Sequence, residues 1–331
     1  MPEKLVENLV PKEGAVDTFW RAFCRCTGVP PQTPYQAWYF GDSPALAHEL
    51  VELVLNGPKR ATAGSAWVNE NAPEAAPVPD GYSVVTEHDG TPRAVIRTVW
   101  LETRPLADVD AQFAWDEGEG DRTLPDWLAG HTRYFMRECA RLGRPFSPTM
   151  QVTLERFELL YPFDRALAAP DGPRIVPSYL PGAIGTIGRL HGEYYAREHG
   201  FGVLFESKVT RELADFAARF DPARDGVWLV ADRGQVHGSI VIDGHGGSGP
   251  AHLRWFILSD AMRGRGQGHR LMDAAMAFCR RAGLRRVYLD TFKGLDAARS
   301  LYERSGFRLV SERPGVTWGH AVTEQRFEWE A

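Results

Sequence analysis

The stretch HLRWFILSDAMRGRGQGHRLMDAAMAF at residues 252–278 predicts the fold of the C-terminal half. Residues 252–259 form an apolar and aromatic run typical of a strand, and residues 266–282 place apolar side chains at helical spacing. Between them, the segment Arg263-Gly264-Arg265-Gly266-Gln267-Gly268 has glycines that let the backbone approach an anion. Because free N–H groups and the positive dipole end at a helix start favour negative charge, the stretch predicts an anion site.

The elements around this stretch predict an α/β domain with a mixed sheet. Two helices and a strand pair come first, and a β-α-β-α-β run follows. Their predicted bounds are 187–199, 208–220, 226–231, 236–243, 252–259, 266–282, 286–291, 296–305 and 307–312. A dinucleotide-binding fold would instead place the glycine loop after its first strand, with an acidic residue roughly 20 residues further on. Asp290 lies near that distance, but the loop comes late in the domain, which disfavours this alternative.

Two motifs of the C-terminal half resemble those of the GNAT N-acetyltransferases. Residues 263–268 match the Arg/Gln-x-x-Gly-x-Gly/Ala pattern, and residues 298–307 (ARSLYERSGF) match the later A-x-x-LY-x-x-x-GF segment. From Gly185 to Glu330 the chain resembles the acetyltransferase half of fused MarR–GNAT proteins. The resemblance implies a splayed sheet, acetyl-CoA as cofactor, and contacts with that cofactor from two segments. These are the strand residues Phe256, Ile257 and Leu258, and the loop residues Arg263, Gly264, Arg265, Gly266, Gln267, Gly268 and His269.

The same resemblance gives Tyr302 the role of general acid, since a leaving thiolate needs a proton that a phenol can donate. A purely packing role for Tyr302 in an amphipathic helix is the alternative. The acceptor, which we expect to be a small-molecule amine, must lose a proton, and Glu206 and His191 are the candidate bases. Leu295 departs from the asparagine that many relatives have near the cofactor. A sensor that binds acetyl-CoA without catalysis is a further alternative for this half.

The length of 331 residues predicts two domains, because one hydrophobic core rarely serves a chain of this size. Five prolines and three glycines between Pro162 and Gly185 indicate a linker. We therefore expect domains at 1–164 and 185–331, joined by residues 165–184. No apolar run reaches the roughly 18 to 20 residues that cross a bilayer, and residues 1–4 do not resemble a signal peptide, which predicts a cytoplasmic protein with no membrane contact.

The N-terminal half predicts an α+β domain built around a small β-barrel. The pattern gives helices at 43–56 and 124–142 and strands at 81–87, 93–101 and 151–161. Residues 1–164 hold 15 Lys and Arg against 24 Asp and Glu, a balance of −9, whereas the rest of the chain has a balance of +4. This acidic half lacks the basic stripe that duplex DNA requires, so we expect no binding to duplex DNA.

Lys59 and Thr62 follow the end of the first predicted helix, and Glu117 lies in a distant acidic loop. A hydroxyl nucleophile needs a base, and a lysine partly buried near a carboxylate can serve, so the three predict amide or ester hydrolysis. A solvated turn and a helix-capping loop are the structural alternative. A hard cation held by Asp116, Glu117, Glu119 and Asp121 is disfavoured because no imidazole lies nearby, and the four cysteines are too dispersed for zinc. We therefore predict no metal.

Residues from about Phe19 to Tyr161 resemble an ASCH domain, a β-barrel related to the PUA RNA-binding domains. The G-x-K-x-x-T loop stands at 57–62 and the Glu-Gly-Glu-Gly-Asp loop at 117–121. Some ASCH proteins are amidohydrolases that remove acetyl from N4-acetylcytidine, with a lysine, threonine and glutamate that align with Lys59, Thr62 and Glu117. Others resemble ribonucleases or bind RNA. The resemblance thus implies a modified nucleoside or single-stranded RNA as partner, either hydrolysed or only bound.

Overall fold

The computed structural model describes residues 8–168, 172–244 and 249–331. It divides into two compact units, one made of residues up to Cys24 with Pro30–Ala166, the other of Arg25–Val29 with Leu167–Ala331. The segment 1–4, used above for the cytoplasmic prediction, and part of the predicted linker lie outside the described residues. The predicted domain limits stay predictions. In the part that is described, no helix is both long and apolar enough to cross a membrane.

The first unit is an α+β fold around a five-stranded sheet. Its elements are α1 Ala15–Thr27, β1 Tyr35–Trp38, α2 Pro44–Asn56, β2 Ala61–Ser65, α3 Ala66–Asn71, β3 Tyr82–Thr86, β4 Pro92–Pro105, α4 Ala111–Glu117, α5 Leu124–Arg141, β5 Gln151–Tyr161 and α6 Phe163–Ala168. The strand order is β1-β3-β4-β5-β2, with β1 parallel to β3 and the other pairs antiparallel. Among the described residues, the edge strands β1 and β2 do not pair with each other, so the PUA-like barrel stays a prediction.

The start and end of α2 follow directly from local sequence. The Ser43 hydroxyl accepts a hydrogen bond from the Leu46 N–H at 3.4 Å, and Pro44 occupies the first turn, where its missing N–H costs nothing. The helix ends where the Gly57 N–H bonds to the Leu53 carbonyl at 3.1 Å. The chain then turns directly into the loop that carries Lys59.

The second unit is an α/β fold with a seven-stranded mixed sheet. Its elements are β6 Arg174–Val176, α7 Ala183–His199, α8 Val203–Ala218, β7 Gly226–Asp232, β8 Gln235–Asp243, β9 Ala251–Leu258, α9 Gln267–Arg281, β10 Arg286–Phe292, α10 Asp296–Arg304, β11 Arg308–Gly315 and β12 Val322–Glu330. The strand order is β11-β12-β10-β9-β8-β7-β6, and among the strand pairs of the described residues only β9 and β10 are parallel. The predicted mixed α/β sheet is confirmed. Strand β6 lies within residues 165–184.

Helix α9 covers one face of this sheet with its apolar stripe. Leu271, Met272, Ala275 and Phe278 are buried against strand residues such as Leu253. Burial of this stripe fixes the position of the helix, because each fully buried aliphatic or aromatic side chain contributes about 1.5–3 kcal/mol. The start of α9 is thereby held at the carboxyl end of β9.

Candidate functional sites

Strands β9 and β10 separate soon after they meet. Within the described residues they pair only at Ala251↔Val287 and His252↔Tyr288, although the strands have eight and seven residues. The backbone of β9 from Leu253 onward therefore has no strand partner on this side. On its other side β9 pairs with β8, with a bulge opposite Ser239–Val241. Trp255 lies in the bulge with a φ of +45°, a left-handed conformation that is rare for a bulky residue.

The glycine loop and the start of α9 lie beside this opening. Gly264 and Gly266 have φ values of +72° and +74°, and no side chain caps the helix at Gly266. The first N–H groups of α9 are thus left for a ligand. A Cβ on Gly268 would come within 3.5–3.6 Å of Phe256 and Leu258, so the helix start packs directly on β9.

The arginines of this loop differ in their surroundings. Arg263 donates to Asp260 at 2.6 Å and its guanidinium lies 4.0 Å from the centre of the Tyr194 ring. Gln267 is buried and accepts a hydrogen bond from Arg270 at 3.2 Å. The other predicted loop residues that are exposed are Gly264, Arg265, Gly266 and His269. The loop therefore presents backbone and positive charge to solvent.

A cavity of about 300 Å³ lies at the opening between β9 and β10. Tyr302 from α10 lines it, with its ring 6.2 Å from that of Phe256. Burial, with a smaller contribution from Tyr195, raises the pKa of Tyr302. The phenol therefore keeps its proton at neutral pH.

The two predicted bases differ in position. His191 is buried on the cavity wall, where its Nδ1–H donates to the Ile187 carbonyl at 2.8 Å. Burial lowers the pKa of His191 to about 4, so the ring is neutral and Nε2 carries a lone pair. Glu206 is exposed in the first turn of α8 and does not line the cavity. Its carboxylate lies over Gly192, where a Cβ would come within 2.9 Å.

Charged side chains on the far wall of this cavity are already paired. Glu212 accepts hydrogen bonds from Lys208 at 2.5 Å and from Arg254. Asp290 forms a two-pronged ion pair with Arg326, at 2.8 and 3.0 Å. His191 lines the cavity with its Nδ1 bound to the Ile187 carbonyl, so its Nε2 is a candidate acceptor on the wall.

In the first unit, Lys59 lies between two carboxylates with no exposed surface. Its Nζ donates to Glu117 Oε1 at 3.2 Å and also to Glu119. Burial would lower the pKa of Lys59, but Glu119 and Glu117 together raise it. Lys59 is therefore cationic at neutral pH. It does not line the neighbouring cavity, whereas Glu117 and Glu119 do.

The Glu117 carboxylate is surrounded by three side chains with N–H groups, those of Lys59, Trp127 and His131. Trp127 Nε1–H donates to Oε2, while His131 Nε2 lies 3.5 Å from Oε1. Burial would raise the pKa of Glu117, but Lys59 and His131 outweigh burial and lower it. Although burial opposes it, Glu117 in turn raises the pKa of His131. The structure brings Lys59 and Glu117 into contact, and the carboxylate stays ionised, whereas the catalytic roles expected for the two residues stay predictions.

Gly118 makes this contact possible because α4 ends against the backbone of the lysine loop. It has a φ of +73°, and a Cβ there would come within 2.7 Å of the Lys59 nitrogen. The Arg60 N–H also donates to the Asp116 carbonyl at 2.9 Å. Only glycine fits both the left-handed conformation and the close approach.

A cavity of about 460 Å³ lies in front of these groups. Thr62 on β2 and Glu155 on β5 both line it and stand opposite each other in the antiparallel register. The walls are rich in aromatic rings, among which Trp127 and His131 stack at 3.8 Å. The other aromatic lining residues are Trp38, Tyr39, Phe40 and Tyr134. Within the described part of the chain, no group of three or more His, Cys, Asp or Glu side chains could hold a metal ion.

Two family models match the chain, one in each half. The ASCH domain model matches residues 36–161, and the acetyltransferase (GNAT) family model matches residues 191–307. An acetyltransferase of Agrobacterium fabrum, Atu2258, is 33% identical over 132 residues, which are 37% of this chain and 93% of that relative. The chain belongs to the GNAT acetyltransferase family and carries an ASCH domain.

Solved structures resemble each domain separately. Protein EF3133 of Enterococcus faecalis V583 is 31% identical, and the match covers 44% of this chain and 88% of that one, with a TM-score of 0.41. An ASCH domain of Lactobacillus crispatus is 29% identical, covers 44% and 94%, and has a TM-score of 0.41. An acetyltransferase of Streptococcus agalactiae is 18% identical, covers 48% and 99%, and has a TM-score of 0.39.

The GNAT family uses acetyl-CoA, and the C-terminal domain offers the groups that this cofactor requires. The unpartnered backbone of β9 suits the amide groups of an extended pantetheine chain. The uncapped start of α9, with Gly264 and Gly266 in left-handed conformations, suits a pyrophosphate. Each requirement is met by a feature of the backbone, so the missing asparagine at Leu295 removes only a side-chain contact.

Sequence reasoning missed several residues of both domains. In the GNAT domain it did not find the bulge at Trp255 or the pairing of Glu212 with Arg254. In the ASCH domain it named Glu119 only as a possible cation ligand and did not name Glu155. The helical spacing of Trp127 and His131 placed both on one face, which was a usable signal. The Thr62–Glu155 pair depends on strand register, for which the sequence carries no local signal.

Proposed function

We propose that this protein is an acetyl-CoA-dependent N-acetyltransferase that acts on a small-molecule amine in the cavity between β9 and β10. The observation that carries the proposal is the position of Tyr302 and His191 on the wall of a cavity at the splayed strands. Acetyl-CoA supplies an acetyl group activated as a thioester when it is bound. The predicted cytoplasmic location is part of this proposal.

Tyr302 acts as the general acid in this proposal. Its phenol is buried and protonated, so it can donate a proton where negative charge develops on a leaving group. General acid catalysis contributes roughly 10²–10⁴-fold to a rate. Tyr302→Phe should therefore lower kcat by about 10²-fold while leaving the affinity for CoA nearly unchanged. Tyr288→Phe is the matched control, since Tyr288 lies half-buried on β10 and does not line the cavity.

His191 accepts the amine proton in this proposal, and Glu206 does not. The neutral ring places Nε2 as an acceptor on the cavity wall, whereas the Glu206 carboxylate is exposed outside it. His191→Gln should reduce kcat/KM more than Glu206→Gln does. Equal losses from both substitutions would show that a shared water chain or another group takes the proton.

Two measurements test the transferase as a whole. Isothermal titration calorimetry of the full chain with CoA should show one site, and addition of amines from a panel should release free thiol. CoA binding without thiol release for any amine would favour the acetyl-CoA sensor instead. Absence of CoA binding would contradict both readings of the domain.

A second function is proposed for the ASCH domain, namely hydrolysis or binding of a modified nucleoside. It is supported by the aromatic cavity, which is lined by Thr62 and by Glu117 and Glu119, the two carboxylates that hold the buried Lys59. The PUA-like barrel predicted for this domain belongs to the same proposal. Because the two chemistries oppose each other on acetyl groups, we expect separate substrates for the two domains.

Incubation of the full chain with N4-acetylcytidine separates hydrolysis from binding. Hydrolysis should release cytidine and acetate, and Thr62→Val should abolish the release without loss of fold. The same assay on Tyr302→Phe should give an unchanged rate, because Tyr302 belongs to the other domain. Binding of cytidine or single-stranded RNA without product would show that the ASCH domain is only a binding module.

A further inference from the structure

Thr62 and Glu155 face each other across two strands at the floor of the ASCH cavity. The antiparallel register pairs Thr62 of β2 directly with Glu155 of β5. Side chains at directly opposed positions leave the sheet on the same face, with Cβ atoms about 4.5–5.5 Å apart. Both residues line the same cavity. A hydroxyl and a carboxyl are thus within reach of one another and of any ligand held there.

The surroundings of Glu155 bring the pKa of its carboxyl close to neutral pH. It is 5% exposed, and the Thr98 hydroxyl of β4 donates to its Oε1 at 2.5 Å. Burial raises the pKa of Glu155 to about 7, although Thr98 and Lys59 act in the opposite direction. The other carboxyl and imidazole groups on the cavity wall come from the α4–α5 side, and they are Glu117, Glu119, Asp126, His131 and Glu138. The cavity wall also carries the guanidinium groups of Arg133, Arg137 and Arg141 and the phenols of Tyr39 and Tyr134.

Lys59 is unsuited to accept a proton from Thr62. Its ammonium group already donates to Glu117 and Glu119, which raise its pKa, and it has no surface in the cavity. A base must be deprotonated at the operating pH and within reach of the hydroxyl. Glu155 faces Thr62 in the cavity, and its carboxyl becomes ionised as the pH rises through about 7. The buried lysine meets neither condition.

We propose that Glu155 is the catalytic base that takes the proton of Thr62 when the ASCH domain hydrolyses an N-acylated nucleobase. This inference rests on the hydrolase function proposed above. The Thr62 oxygen forms a bond to the acyl carbon, and its proton moves to the Glu155 carboxylate. The carbon–nitrogen bond then breaks, and the departing amine takes that proton. Water next attacks the acyl-Thr62 ester and gives a proton to Glu155. Glu155 passes this proton to the Thr62 oxygen as the ester bond breaks, which releases the carboxylic acid and restores the Thr62 hydroxyl and the Glu155 carboxylate.

A purely structural role for Glu155 would have different consequences. In that case the carboxyl would only join β4 to β5 through the Thr98 hydrogen bond, and a glutamine could replace it. Glu155→Gln keeps the size and the acceptor oxygen, so it should preserve the fold while removing the base. Glu158→Gln on the same strand makes the same chemical change at a half-buried residue that does not line the cavity.

The first experiment measures turnover of N4-acetylcytidine by the full chain. We expect Glu155→Gln to lower kcat by about 10²-fold or more, as for loss of a general base, and Glu158→Gln to stay near wild type. The wild-type kcat/KM should rise with pH through about 7. Thr98→Val removes a hydrogen bond to the ionised carboxylate, so it should move this rise to higher pH. An unchanged rate in Glu155→Gln would overturn the inference and leave the hydrolase function intact.

The second experiment uses p-nitrophenyl acetate and intact-protein mass spectrometry, followed by peptide mapping. Acetylation at Thr62 that depends on Glu155, without turnover of N4-acetylcytidine, would support the inference and overturn the proposed substrate. Absence of both turnover and Thr62 acetylation would overturn the inference together with the hydrolase function. Turnover that persists in Thr62→Val would overturn the inference alone, because Glu155 would then have no Thr62 proton to accept.

Discussion

Replacing Lys59 with methionine removes a buried cation and leaves its partners in place. Methionine has nearly the shape of the lysine stem, so the change isolates the charge. Glu117 is 1% exposed and would become an ionised carboxylate with only Trp127 and His131 as donors. Glu119 keeps about a quarter of its side chain in solvent and can be hydrated.

The expected cost follows from the burial of Glu117. Removing one partner of a buried ion pair destabilises a protein by about 3–5 kcal/mol. At about 1.4 kcal/mol per factor of ten, that raises the unfolded fraction of the first unit by roughly two to four orders of magnitude. Lys12→Met is the matched control. Lys12 is exposed and its Nζ lies 5.2 Å from the centre of the Tyr35 ring, so its replacement should change stability by no more than about 1 kcal/mol.

The effect should also depend on pH with a definite sign. In the wild type the pKa of Glu117 is lowered, so the pair contributes stability that is lost only in strong acid. In Lys59→Met burial dominates and raises this pKa, so protonation relieves the penalty. The difference in stability between the two proteins should therefore shrink as the pH falls from 7 toward 4.

Hydrogen exchange measured by mass spectrometry suits this test, because peptides covering 111–141 report on the first unit alone. Protection in these peptides should fall in Lys59→Met and recover partly in Lys59→Met/Glu117→Gln, which removes the unpaired charge. Equal protection of Lys59→Met and wild type at pH 7, or a loss that does not shrink in acid, would refute the electrostatic reasoning.

Three further predictions concern two glycines with positive φ and the protonation of His191. Gly118→Ala and Gly143→Ala both place a side chain at positive φ, but only the Cβ at position 118 would meet backbone, within 2.7 Å. Urea titration should therefore show the larger loss of unfolding free energy for Gly118→Ala, and equal losses would contradict the close approach. Gly264→Ala should weaken CoA binding measured by calorimetry, whereas Gly283→Ala, also at positive φ but at the far end of α9, should leave the affinity unchanged. Burial lowers the pKa of His191 to about 4, so the free energy of exchange protection in α7 should decline by up to about 3 kcal/mol between pH 6.5 and 4 and level off below pH 4. His191→Leu should remove this decline. A decline that persists in His191→Leu would show that other groups cause it.

Elements with strong local signals could be predicted from the sequence. Ser43 and Gly57 bound α2 in the sequence and in the structure because capping and termination depend on nearby residues. The strand–loop–helix unit around Gly264 and Gly266 was predicted for the same reason. Strand β12 was missed, although Phe327 and Trp329 alternate with charged residues there, and this pattern was a usable signal.

Features that depend on register could not be predicted from residue types alone. The opening between β9 and β10 arises because the two strands diverge after His252, which no residue type in either strand signals, so only the resemblance to GNAT acetyltransferases implied a splayed sheet. The position of Glu155 opposite Thr62 likewise depends on how β2 aligns with β5. The paired carboxylates around Lys59 require Gly118 to bring α4 against a loop far away in sequence. Residue types and the motif resemblance suggested Glu117 as a partner of Lys59, but neither indicated the second carboxylate, Glu119.

The opening between β9 and β10 makes the second unit a sheet with a gap at its centre. Strands β6–β9 and β10–β12 share only a short run of backbone pairing across it, in the residues that the structure describes. A ligand that spans the gap binds the folded domain and not the unfolded chain, so a hundredfold excess over its Kd adds about 2.7 kcal/mol of stability. The steady-state abundance of this protein would then follow the cell's acetyl-CoA supply, since protein emptied of cofactor unfolds more often and is degraded sooner.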